Sequence, residues 1–317
     1  MSLTSHLSDV ESPVRRFIYE CAPQLALAGT RGAEGKVFAS QFGFDDLTAL
    51  ANQRPIPDDV KNRTGHAVVA GMALDYRLRM DLPGFDFTKT VAQIGLDRLA
   101  ADPGLVHRGQ HIHKLLQESL SLSYLTVQDA DSQPLSLARA AVPLAWCESI
   151  VRAGTQVALS GDLGRQIKRA KTSIDLMMSI DSSLIFDIAV LHKTVSPALA
   201  EWNQNIAEGA TYVPNPRFLG SSAVGGADAD WAIGDTLVDL KAREKITNPW
   251  IRDALFQLLG YALLDLDDSL GIRKVAILLP RQPHFTVWTV DDLLGRDAEV
   301  ALPELREEFA VLLAEML

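Results

Sequence analysis

Apolar residues recur at three- and four-residue intervals through most of the first 208 positions, the spacing that places them on one face of a helix. The pattern is plainest in VRRFIYECAPQLAL from Val14, HAVVAGMALDYRLRM from His66, ARAAVPLAWCESIV from Ala138 and IFDIAVLHKTV from Ile185. Pro55-Ile56-Pro57-Asp58-Asp59, Asp81-Leu82-Pro83-Gly84 and Gly161-Asp162-Leu163-Gly164 interrupt it and predict turns. Near Ala210 the texture changes. Short β-type runs follow: TYVPNPRFL, ADADWAI and TLVDLK, then KVAILLP and HFTVWTV. Between the third and fourth runs, residues 249–266 return to helical spacing with Pro249 placed for a first turn, and LPELREEFAVLLAEML closes the chain as an amphipathic helix. This order predicts an α/β fold, with a mainly helical region over residues 1–205 and a sheet-bearing domain over 206–317.

Gly234-Asp235 separates two of the runs and predicts a two-residue hairpin loop. With that loop, 233 faces 236, 230 faces 239 and 228 faces 241, and alternation puts Asp228, Asp230, Asp239 and Lys241 on one face. Trp231 then points away from them. Three carboxylates and a lysine in register form a costly arrangement, because opposed like charges repel and burial drives one acid to keep its proton. A divalent cation removes the conflict: Mg²⁺ or Mn²⁺ takes one or two carboxylates together with waters and phosphate oxygens. A lysine beside it can orient or deprotonate an attacking water. The plain alternative is an exposed polar hairpin face.

Charge complicates a phosphate-binding reading. The net charge is −10, whereas binding a polyanion needs a basic footprint. The excess is local, with 10 Lys and Arg against 19 Asp and Glu over residues 201–317, and 20 against 21 before them. The most basic stretch is Arg165, Lys168, Arg169 and Lys171, which on one continuous helix would share a face and offer a phosphate track. A solvated helix face is the plainer reading of them. With 47% hydrophobic residues, a polar amino terminus and no apolar run near the roughly 20 residues of a membrane span, a soluble cytoplasmic protein without a membrane partner is expected. Cys21 and Cys147 have neither zinc-site nor disulfide spacing and are expected to be buried thiols.

Other signals fall short. Gly32 to Lys36 lacks the upstream glycine and following hydroxyl of a phosphate loop, and His107, His111 and His113 lack the framing of a zinc enzyme. No G-x-S-x-G elbow occurs. Trp202, Trp231, Trp250 and Trp288 read as core residues.

Gly225-Gly226-Ala227-Asp228, then Asp239-Leu240-Lys241, then Gln257-Leu258-Leu259-Gly260-Tyr261 resembles the PD-(D/E)XK nuclease superfamily, in particular its RecB-type branch. There a G-x-x-D strand, a (D/E)-x-K strand and a Q-x-x-x-Y helix occur in this order. The resemblance covers residues 211–290 and departs from the pattern at Ala227, where proline is usual. It implies a restriction-endonuclease-like core, a small mixed sheet flanked by helices, with a large helical N-terminal region or insertion. It also implies metal-dependent hydrolysis of DNA phosphodiester bonds in a repair, recombination or phage-defence (antiviral) assembly, with a protein partner or a homo-oligomer. Asp228 or Asp230 with Asp239 would bind Mg²⁺ or Mn²⁺, Lys241 would be catalytic, and Gln257 and Tyr261 would line the site. Glycine spacing favours Asp228, and opposition to Asp239 favours Asp230. Such folds carry an upstream helix that contributes a His or an acid. The helix at 65–79, bearing His66 and Asp75, is the candidate, with Glu201 and Glu208 as rivals. A catalytically silent scaffold of the same fold is the alternative, and RNA an alternative substrate.

Overall fold

The two runs around Gly234-Asp235 fold as the hairpin their alternation predicts, within a computed structural model that describes residues 2–53, 66–102, 108–282 and 284–316. Two compact units result, one of Met1–Ile56 with Gln204–Leu317 and one of Pro57–Asn203. The boundary predicted at 205 is thereby corrected: the first helices leave the helical region and join the sheet. The reason lies in their apolar stripes, since Leu3, Val14, Ile18 and Leu25 bury into the same core as the sheet and its main helix.

The sheet unit opens with α1 (Leu3–Ser8), α2 (Pro13–Cys21), α3 (Pro23–Leu27), α4 (Ala33–Gln41) and α5 (Phe44–Gln53). The second unit holds α6 (His66–Arg79), α7 (Val91–Ala101), α8 (Arg108–Gln128), α9 (Pro134–Ala153), α10 (Thr155–Ser160), α11 (Asp162–Ile167), α12 (Ser173–Met178) and most of α13 (Ser182–Ala207). There α9 is central. Its Ala138, Ala140, Ala141 and Ala145 with Val142, Leu144 and Trp146 are buried nearly all round, and α6, α7 and α8 pack against it. Both cysteines are buried, and burial pushes each thiol up to about 12, as inert core residues require.

Three expectations change here. Arg165, Lys168, Arg169 and Lys171 are exposed but do not line one helix, because α11 ends at Ile167 and the chain turns before α12. A capping box between Thr172 and Asp175 starts the new helix, and Asp175 also accepts from the Lys171 amide, so the old one must stop first. Gly161 to Gly164 is accordingly only partly a turn, whereas Asp81 to Gly84 is one and the break at 55–59 lies outside the described residues. Third, α13 is long enough, and one 18-residue window of it at mean hydropathy 1.2 is apolar enough, to cross a membrane by length and composition alone, against the expectation that no run approaches that length. Its buried Leu184, Ile188, Leu191, Val195, Leu199 and Trp202 recur at three and four residues, the stripe of a helix packed on neighbours.

Five strands complete the sheet unit in spatial order: β1 (Tyr212–Pro214), β2 (Trp231–Ile233), β3 (Thr236–Leu240), β4 (Lys274–Leu279) and β5 (His284–Thr289). All pairings are antiparallel except β3 with β4, which α14 (Asn248–Leu264) connects as a crossover. Buried on both faces, β4 reads as the unbroken apolar run VAILL. The first run yields only three strand residues, because Pro214 and Pro216 have no amide to donate to a ladder. A 3₁₀ turn over Leu219–Val224 follows instead. After β5 come α15 (Val290–Leu294) and α16 (Ala298–Glu315), the latter against α14 and α2.

Alternation sorts the sheet's faces. Leu237, Val275 and Ile277 join the core cluster with α14, while Trp231, Val238 and Ala276 lie outside that cluster though equally buried. Asp239 shares the parity of Leu237 and so belongs to the α14 side.

Candidate active site

The hairpin carries its predicted register from Ile233 opposite Thr236 to Trp231 opposite Val238. Beyond that point the ladder changes partner. Asp230 Oδ2 accepts from the Leu240 amide at 2.8 Å, taking the place of a strand carbonyl. The backbone of 228–230 then pairs with residues 215–217, through Asn215 N to Asp230 O, Ala229 N to Pro216 O and a bridge between Arg217 and Asp228. The expected opposition of 228 and 241 is therefore not formed, while that of 230 and 239 is retained through their side chains.

Asp239 is the centre of the cluster. Only 3% of it is exposed, Lys241 Nζ donates to its Oδ1 at 2.7 Å, and Asp230 lies within hydrogen-bonding reach. Its Oδ2 is buried without a hydrogen-bond partner. Burial raises its pKa to about 7, opposed by the Lys241 charge and reinforced by that of Asp230. Lys241 is itself anchored, its amide bonded to Leu278 O in continuation of the β3–β4 pairing.

From α14, Gln257 Nε2 donates to the Tyr261 hydroxyl at 2.9 Å, the contact that four-residue spacing allows. Tyr261 stacks on Phe218 and is nearly buried. Burial, then the charge of Asp239, with Asp230 and Asp228 adding, pushes its ionisation above the ordinary tyrosine range. Because Gln257 donates to the oxygen, the tyrosine keeps its own proton to donate toward an anion. Gln257→Ala is expected to cost about 1–3 kcal/mol by stripping a buried hydroxyl of its partner, read as a lower urea midpoint.

Asp228, Asp230, Asp239, Lys241, Gln257 and Tyr261 thus converge, with Asp230 facing Asp239 most directly. Asp228 stands further back, 3.5 Å from Asn215 Nδ2. Sequence reading missed Asn215, whose φ of 45° between two prolines marks a left-handed turn that asparagine tolerates. The upstream candidates fare differently. Helix α6 lies in the other unit, where Asp75 is buried and paired with Arg79, and the His66 side chain lies outside the described residues. Glu201 is exposed on α13, and Glu208 accepts from Gln204.

Would these residues suit a divalent cation? Among the described residues no three His, Cys, Asp or Glu groups are disposed around one point as a complete ligand set. Mg²⁺ needs only one or two carboxylates. A buried, unpartnered Asp239 oxygen facing a second acid fits that requirement, since the cation would both satisfy the orphan and relieve the repulsion. No protein-family model, curated protein or solved structure matches this chain, so the site is interpreted from its own chemistry.

Proposed function

We propose that the chain is a metal-dependent deoxyribonuclease with a restriction-endonuclease-like core. One observation carries the reading: a fully buried carboxylate, Asp239, has an unsatisfied oxygen, a second acid opposite and a lysine bonded to its other oxygen. Such a group is expensive to bury without a cation to meet it. Asp239 with Asp230, and Asp228 behind them, would hold Mg²⁺ or Mn²⁺, which would polarise the phosphodiester and neutralise charge as the bond breaks.

The remaining work belongs to the protein. Lys241 Nζ, fixed by the β3 backbone and by Asp239, orients the attacking water and supplies positive charge to the developing phosphorane. Tyr261, its oxygen held by Gln257, donates its proton to a phosphate oxygen of the strand. The crossover from β3 through α14 to β4 places these groups at the carboxyl end of β3, where ligands of α/β sheets bind.

The scaffold reading has the incomplete ligand set in its favour. Incubating purified protein with labelled single- and double-stranded DNA and RNA in Mn²⁺, beside Lys241→Ala and Asp239→Ala, decides between them. Lys241→Ala is expected to lower kcat by about 10²–10⁴-fold. Equal residual cleavage by all three proteins would leave only the scaffold, and cleavage confined to RNA would change the substrate.

A further inference from the structure

A groove of about 380 Å³ opens beside the acid cluster, and Lys241 and Gln257 line both. The rest of its wall comes from α1, α2 and the first turns of α14, notably Thr4, Arg15, Tyr19, Trp250 and Arg252. Its charge contradicts its surroundings. The sheet unit carries 15 Lys and Arg against 24 Asp and Glu, yet Arg15, Lys241 and Arg252 meet in this groove with Asp253 as the one carboxylate among its described lining residues.

The cations are not equivalent. Lys241 is engaged by Asp239, and Arg252 donates to Asp253 Oδ1 through Nε and Nη2 at 3.0 and 2.8 Å. Arg15 instead lies over the Tyr19 ring at 4.3 Å, with Tyr19 stacked 3.8 Å from Phe256, and its Nη1 donates to the Leu7 carbonyl. Among the described residues it has no carboxylate partner. A guanidinium held over an aromatic ring, with charge and most of its five donors unspent, is suited to bidentate capture of a phosphate. Trp250, half-buried in the same wall, has the Arg243 guanidinium over one face of its ring at 5.0 Å, an aromatic and a cationic group side by side. The groove's volume sits at the lower end of the range for enclosed ligands, room for a nucleotide-sized segment of one strand.

We propose that this groove is the single-stranded DNA subsite, with Arg15 gripping a phosphate of the strand next to the one presented at Lys241. The assignment rests on the nuclease reading for what happens at Lys241, but the binding it describes needs no metal. The test is therefore run in EDTA. Fluorescence anisotropy of a fluorescein-labelled oligothymidylate is followed across salt for wild type, Arg15→Ala, Arg15→Lys and Arg16→Ala. Arg16 is exposed, lies next in the chain and outside the groove, and its removal changes net charge equally.

Arg15→Ala should weaken binding about tenfold or more and reduce the slope of log K against log salt by about 0.7, the value for one single-strand phosphate contact. Arg16→Ala should leave that slope unchanged. Arg15→Lys keeps the charge and should keep the slope while losing several-fold in affinity, which holds the proposal open to refutation even where Arg15→Ala melts early. Equal effects of Arg15→Ala and Arg16→Ala, no binding by wild type, or tighter binding of duplex would each overturn it. Binding through Arg15 without cleavage in Mn²⁺ would instead retain the subsite and remove the nuclease.

Discussion

Asp239→Asn is expected to lower cleavage by about 100-fold or more and, at pH 8, to raise the melting temperature. The two effects share a cause. Wild-type Asp239 titrates at about 7 in the folded protein, against about 3.9 for an aspartate in an unfolded chain. Between those values the native state holds a proton that the unfolded chain has released. Its stability contribution is therefore complete below about pH 4, declines as pH rises and is fully lost above about pH 7. Moving a titration midpoint by one pH unit corresponds to about 1.4 kcal/mol, so the deficit at pH 8 is a few kcal/mol. Asparagine has no charge to desolvate and escapes that deficit, at about 2–4 °C per kcal/mol for a domain of this size. Thermal melts at pH 4, 6 and 8 should show the variant's advantage growing with pH, while cleavage falls about 100-fold or more. Mn²⁺ should raise the melting point of wild type and not of the variant. Parallel melting curves at all three pH values would refute the buried-acid account, and retained cleavage would refute the metal-ligand role.

The second large effect lies far from this chemistry in sequence. Gly95 sits where α7 crosses α9, and a Cβ there would overlap the carbonyl oxygen of Cys147, a backbone atom that no rotamer change can remove. Gly95→Ala must push two helices apart, and those helices form the main contact within the helical unit. Overpacking ordinarily costs about 1–3 kcal/mol, and a clash with backbone belongs at or beyond the upper end. Denaturant unfolding followed by circular dichroism should show a separate early loss of helix. An unchanged midpoint would mean that the helices approach less closely than described.

The contrast between these two residues shows how far the chain's pattern could be read. Asp239 was legible, because a two-residue period on both sides of Gly234-Asp235 determines which side chains share a face, and side-chain parity in a strand is a local property. The Gln257–Tyr261 pair was legible for the same reason on a helix. Gly95 was not, since nothing within α7 says which backbone will approach it.

The domain boundary failed similarly. Helices α1 to α5 have the same three- and four-residue periodicity as those of the other unit, and amphipathicity says that a face is buried without saying against what. The basic stretch at 165–171 misled because a capping box overrode a period that continued through it.

Local pattern thus determined by itself the element types, the hairpin register and the convergence of Asp230, Asp239 and Lys241. Only the tertiary structure decided that Asp228 stands back beside Asn215, that α6 belongs to another unit and that Arg15 meets Lys241 in one groove. The physical reason is range: backbone geometry fixes neighbours a few residues apart, whereas contacts between distant segments depend on how apolar faces find one another in the fold.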